Sequence, residues 1–66
     1  MFSSLTPREK DIIEFLIEGY TNKELADKFN ISPHTVKALL EKIFDKLGTK
    51  NRVQLAVYAL REGLFK

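Results

Sequence analysis

The stretch Thr21-Asn22-Lys23-Glu24-Leu25-Ala26-Asp27-Lys28-Phe29-Asn30-Ile31-Ser32-Pro33-His34-Thr35-Val36 contains two helix starts and one helix stop, and its reading decides the fold. Thr21 offers a hydroxyl to the first turn, and Glu24 stands where its carboxylate can reach back, which together form a capping box. Leu25, Ala26 and Phe29 then recur at helical spacing. Asn30 follows them, and asparagine is second only to glycine in accepting the left-handed conformation that ends a helix. Ser32-Pro33 restarts the chain as a cap followed by a proline at the first helical position. Only Asn30, Ile31 and Ser32 separate the two helices. So short a turn favours a steep crossing, as in a helix-turn-helix, over a long antiparallel hairpin. Small Ala26 lets the helices approach, Ile31 plugs the turn, and Val36 and Leu39 hold the second helix from beneath.

The same punctuation extends outward. Thr6-Pro7-Arg8-Glu9 is another capping box with proline at the first helical position, and Ile12, Ile13, Leu16, Ile17 and Tyr20 carry the helical period until Gly19 stops it. After Pro33, the residues Val36, Leu39, Leu40, Ile43, Phe44 and Leu47 share one face up to Gly48. Asn51 and Gln54 cap a last helix that Gly63 closes. The pattern predicts helices over about 7–18, 22–29, 33–47 and 52–62, and no run of period two long enough for a strand. The expected class is all-α: residues 1–66 as a single domain of four helices around a central helix-turn-helix.

Composition narrows the function. A chain of 66 residues buries only about 60 % of its unfolded surface, so efficient helix packing or a partner subunit is needed. Without cysteine, and with His34 as its one histidine, it has neither a disulfide framework nor the ligands of a zinc site. No cofactor or small-molecule ligand is expected. It lacks a glycine-rich phosphate loop, and Ser3, Ser4 and Ser32 have only His34 as a base, so catalysis is not expected. No apolar run of about 18 residues suggests a membrane span, and no basic leader precedes an apolar stretch, which makes the cytoplasm, with the nucleoid, the expected location. The formal net charge of +2 divides unevenly. Met1 to Ile31 carries 4 basic and 6 acidic residues, whereas Ser32 to Lys66 carries 7 basic and 3 acidic. A polyanion is therefore the expected partner of the second half.

In a helix-turn-helix the second helix lies in the major groove of DNA, with its first residues at the base edges. Opposite the apolar stripe of that helix lie His34, Lys37, Ala38 and Glu41, the candidate base-edge residues. Lys37 could donate to guanine O6 or N7, Ala38 could touch a thymine methyl, and Glu41 could accept from cytosine N4. Helix N-termini offer unpaired N–H groups and a positive dipole end to phosphates. The candidates for backbone contact are Thr21, Asn22 and Lys23, Ser32 and Thr35, Lys42 and Lys46, and Lys50 and Arg52. Thr21, Ser32 and Asn51 serve as caps with or without DNA. Lys23, Lys50 and Arg52 are not needed for capping and are the stronger candidates.

The last helix is apolar on two sides, with Val53, Val57, Leu60 and Leu64 on one stripe and Leu55, Ala56 and Ala59 on another. An outer helix of a small bundle needs one buried stripe. Small Ala56 and Ala59 suit internal packing, which leaves Val53, Val57 and Leu60 as the expected dimer face. Two competing readings remain open: a helical interaction module with degenerate DNA binding, and the promoter-reading helix-turn-helix of a sigma factor, which lacks so well formed a last helix.

These residues resemble the LuxR/GerE-type DNA-binding domains. Leu5-Thr6-Pro7-Arg8-Glu9 is similar to the family's opening, and Tyr20-Thr21-Asn22-Lys23-Glu24-Leu25-Ala26 to its second-helix entry. Ile31-Ser32-Pro33-His34-Thr35-Val36-Lys37 is similar to its turn, Lys46-Leu47-Gly48 to the exit of its recognition helix, and Asn51-Arg52-Val53-Gln54-Leu55-Ala56 to its last helix. The resemblance implies a four-helix bacterial transcription regulator, a response-regulator output domain or a free-standing protein. Its implied partners are double-stranded DNA, a second copy bound through the last helix, and RNA polymerase. Two positions depart from the pattern. Leu39 stands where a polar residue, often histidine, is common, and Glu41 where a basic or small polar one is common.

Overall fold

The computed structural model describes residues 5–63, which form four helices in one layer-less bundle: α1 (Pro7–Ile17), α2 (Asn22–Phe29), α3 (Pro33–Leu47) and α4 (Arg52–Arg61). The all-α class follows the expectation, and α1 and α4 each end one residue earlier than their periodicity suggests. Glu18 and Glu62 occupy the cap positions there.

Each expected cap forms. Thr6 and Thr21 accept the N–H of Glu9 and Glu24, whose carboxylates accept the N–H of Thr6 and Thr21 in return. Ser32 accepts the N–H of Thr35. Asn51 accepts the N–H of Gln54, but Gln54 reaches one residue further back, to the N–H of Lys50 at 2.9 Å.

The three turns close in one way. A backbone N–H donates to the carbonyl five residues earlier: Tyr20 to Phe15 at 3.1 Å, Ile31 to Ala26 at 2.9 Å, and Thr49 to Phe44 at 3.0 Å. Such a bond requires a left-handed residue just before the donor. Gly19 (φ 101°), Asn30 (φ 58°) and Gly48 (φ 69°) hold those positions. Asn30 is the non-glycine among them, so the central turn carries the backbone strain.

The core is one cluster. Leu5, Ile12, Ile13 and Leu16 meet Leu25 and Ala26, then Val36, Leu40, Ile43 and Leu47, and Leu55 and Ala59 of α4. α2 packs chiefly on α3, and α1 on α4. Phe29, Ile31, Leu39 and Phe44, read from sequence as inward, are half-buried at the rim. Phe29 meets Phe15 edge-on with ring centroids 5.8 Å apart, and Tyr20 lies 4.9 Å from Phe15 on the other side. Arg8 sits over Phe29 and Lys28 over Phe15, at 5.4 and 5.1 Å from the ring centroids. The stems of these cations therefore cover the aromatic seam between α1 and α2.

One tie spans the bundle. Lys46, in the last turn of α3, donates to Glu9 Oε1 at 2.7 Å, the oxygen that also accepts the N–H of Thr6. Burial pushes the Glu9 carboxyl up, but the hydrogen bonds from Lys46 and Thr6 and the charges of Lys46 and Lys42 outweigh it. The group stays below its ordinary value of 4.5. The start of α1 is thereby joined to the end of α3.

Candidate nucleic-acid interface

α3 is the longest helix, and its spacing sorts its side chains into a buried stripe and an open one. His34, Lys37, Ala38 and Glu41 recur at three- and four-residue intervals, and all four are exposed. Lys37, Glu41, the edge of buried Leu40 and the rim residue Phe44 form one wall of a shallow groove. Asn22 of α2 and Lys50, Asn51 and Arg52 at the start of α4 form the other. The fold thus brings together residues from three segments that the sequence keeps up to 30 positions apart.

The helix starts around this groove differ in what they offer. The first N–H groups of a helix have no intrahelical acceptor. In α2 the cap satisfies Glu24, leaving Asn22 and Lys23. In α3 Pro33 has no N–H and Thr35 is bonded to Ser32, leaving His34. The hydroxyls of Ser32 and Thr35 are engaged with each other at 2.9 Å. In α4 the cap satisfies Gln54, leaving Arg52 and Val53.

Two cations expected at phosphates have intramolecular partners. The guanidinium of Arg52 donates to Asn22 Oδ1 at 2.9 Å and to the Tyr20 carbonyl at 2.7 Å. It clamps the start of α4 to the turn before α2 and occupies the Asn22 side chain as well. Lys46 is paired with Glu9. Lys42 stands one turn before Lys46 on the same face of α3, the flank turned toward α1. Lys23, Lys37 and Lys50 are exposed. Neither the Arg52 clamp nor the Glu9–Lys46 pair was readable in the sequence, because each joins residues distant in the chain. The one local sign was Glu9 itself, whose capping role already turned its carboxylate toward the helix start.

α4 buries Leu55 and Ala59 and half-buries Ala56 and Tyr58. Val53, Val57 and Leu60 are 69, 47 and 62 % exposed, a stripe of large apolar side chains with no cover among the described residues. Leu64, assigned to the same stripe from sequence, lies outside the described residues. The described residues contain no cluster of metal-ligating side chains, and no described helix is long and apolar enough to cross a membrane.

Residues 3–59 match the model of the bacterial regulatory proteins of the luxR family. The chain belongs to that family. An HTH-type transcriptional regulator by name, from Mycobacterium tuberculosis (strain ATCC 25618 / H37Rv), is 42 % identical over 94 % of this chain and 7 % of its own length. The transcriptional regulator named ycf29 in Cyanophora paradoxa is 38 % identical over 92 % of this chain and 29 % of its own. The oxygen regulatory protein NreC of Staphylococcus aureus (strain JH9) is 40 % identical over 98 % of this chain and 30 % of its own. The chain thus spans less than a third of the length of each of these relatives. It is a DNA-binding domain of transcription regulation, in a family of regulators and not of enzymes.

Proposed function

We propose that this LuxR-family domain binds DNA sequence-specifically as a homodimer, with α3 in the major groove. The observation that carries the reading is the open stripe of α3, His34, Lys37, Ala38 and Glu41, flanked by the starts of α2 and α4. In this reading Lys37 leads the base contacts, donating to a guanine, and Ala38, Glu41 and His34 complete them. Phosphates meet the N–H groups of Asn22, Lys23, His34, Arg52 and Val53, with the ammonium groups of Lys23 and Lys50 beside them and the hydroxyls of Thr21, Ser32 and Thr35 at the helix starts. Lys42 contributes from the flank. Arg52 acts chiefly by holding the starts of α2 and α4 together, and Lys46 by holding α3.

The dimer reading rests on the exposed stripe Val53, Val57 and Leu60. A two-fold dimer would read two half-sites about one helical turn apart. Such a regulator works in the cytoplasm, at the nucleoid, and RNA polymerase is the further partner of this reading.

Glu41 and the apolar face of α4 also suit an interaction module with degenerate DNA binding. Fluorescence anisotropy with a mixed duplex pool across a salt series separates the two. Each phosphate contact should steepen the fall of log affinity with log salt by about 0.9. The absence of salt-sensitive binding would overturn the DNA-reading proposal.

A further inference from the structure

A carboxylate beside a polyphosphate is repelled unless it finds a hydrogen-bond donor. Glu41 is exposed midway along α3, one turn beyond Lys37, and lines the same groove as Lys37 and Lys50. Four residues is the separation at which Lys and Glu pair on a helix, but with lysine on the N-terminal side the geometry is the poorer one. Accordingly the two side chains form no ion pair among the described residues, whereas Lys46 of the same helix does pair with Glu9. The Glu41 carboxylate is presented to whatever fills the groove.

We propose that Glu41 selects a cytosine: its carboxylate accepts the outward N4 hydrogen of that base and rejects duplexes with no donor at the position. The proposal rests on the docking of α3 in the major groove. Among base edges in that groove only cytosine N4 and adenine N6 donate. On adenine the donor adjoins the N7 lone pair, which repels a carboxylate. On cytosine its neighbour is the C5–H, which carries no lone pair. Guanine and thymine present acceptors and are disfavoured. Residues 37 and 41 stand about 6 Å apart along the helix axis. A base-pair step is about 3.4 Å, so the cytosine of Glu41 lies within about two steps of the guanine of Lys37. Glu41 therefore works twice, adding a contact at the right site and weakening binding everywhere else.

The test compares sequences selected from a random duplex pool by the wild-type chain, Glu41→Ala and Lys37→Ala. Alanine on an exposed helix face preserves folding, which circular dichroism checks. The wild type and Lys37→Ala should enrich cytosine at one half-site position, and Glu41→Ala should lose that position alone while binding random duplex more tightly than the wild type. N4-methylcytosine at the position keeps its pairing hydrogen but loses the outward one. It should weaken the wild type by roughly tenfold and leave Glu41→Ala unchanged. A Glu41→Ala profile identical to the wild type, or an equal loss by both proteins on N4-methylcytosine, would overturn the proposal. If Lys37→Ala also changed no position and weakened selected and random duplexes alike, the major-groove docking itself would fall with it.

Discussion

Replacing Lys46 with methionine isolates the tie between α1 and α3. Methionine keeps the helix propensity and an apolar stem against the bundle but removes the ammonium. The Glu9 side chain is 4 % exposed and that of Lys46 28 %. The variant therefore leaves a buried carboxylate with the Thr6 N–H as its remaining donor among the described residues. A charge-assisted hydrogen bond contributes roughly 1.5–3 kcal/mol, and the partial exposure of Lys46 places this one toward the lower end, about 2 kcal/mol. In so small a domain 1 kcal/mol moves Tm by about 4–8 °C, so Lys46→Met should lower Tm by roughly 10 °C near neutral pH.

The pH dependence provides the decisive signature. The Glu9 carboxyl lies below its ordinary value in the folded chain. Its ionised form therefore stabilises the fold above the unfolded value, and the contribution is lost as pH falls through the folded value. In Lys46→Met burial is left with fewer opposing groups, so the carboxyl moves up and protonation relieves the strain. The gap between wild type and variant should be full near pH 7 and close as the pH falls through the carboxylate range near 4. Urea denaturation followed by circular dichroism at both pH values measures it. In a Glu9→Gln background, where the amide oxygen still accepts from Thr6, Lys46→Met should produce a smaller gap that does not change with pH. A gap of equal size at both pH values in the Glu9 background would show that Lys46 acts through its stem alone.

Further substitutions probe the other joints and faces. Arg52→Lys removes the fork that holds Asn22 and the Tyr20 carbonyl, and should cost about 1–2 kcal/mol in urea denaturation without DNA present; full stability with weakened DNA binding would assign Arg52 to phosphate instead. Asn30→Val places a β-branched residue at φ 58° and should cost about 1–2 kcal/mol, with Asn30→Gly close to neutral by the same measurement. Lys37→Ala should weaken selected duplexes by roughly 1–3 kcal/mol and relax one base position in a competition assay; equal losses on random duplex would place Lys37 on the backbone. Val57→Asp should leave helix content unchanged and abolish the dimer on a two-half-site duplex in sedimentation equilibrium, and a complex of unchanged molar mass would refute the α4 dimer face.

The helices were legible because their signals are local. A cap and its partner lie three residues apart, and a left-handed stop lies beside the helix that it ends. Thr6 with Glu9, Thr21 with Glu24, and Asn30 therefore declare themselves in a short window. Gln54 shows the limit of that reasoning: it was expected to serve the start of α4, and it does so by bonding Lys50 in place of Asn51. Burial was legible for the centre of each stripe and less so for its edges. Leu39 and Phe44 carry the same apolar signal as Leu40 and Ile43, and only the crossing of α3 with its neighbours leaves the first pair at the rim.

The cations expose a different boundary. A lysine or arginine near a helix start reads the same from sequence whether it meets a phosphate or its own fold. Lys50 and Arg52 are two residues apart at the start of α4, yet Arg52 turns back to Asn22 and Tyr20 while Lys50 is exposed. Lys42 and Lys46 carry the same charge as Lys37 but lie on the flank of Glu9. The positive charge of the second half is thus divided between cohesion and surface potential, and the net charge of +2 overstates what the groove can offer a polyanion. A groove with few free cations and one free carboxylate binds random duplex weakly through its charge. In the proposed reading it draws a larger share of its affinity from base-edge contacts, and Lys37 and Glu41, side by side on one face, serve discrimination more than adhesion.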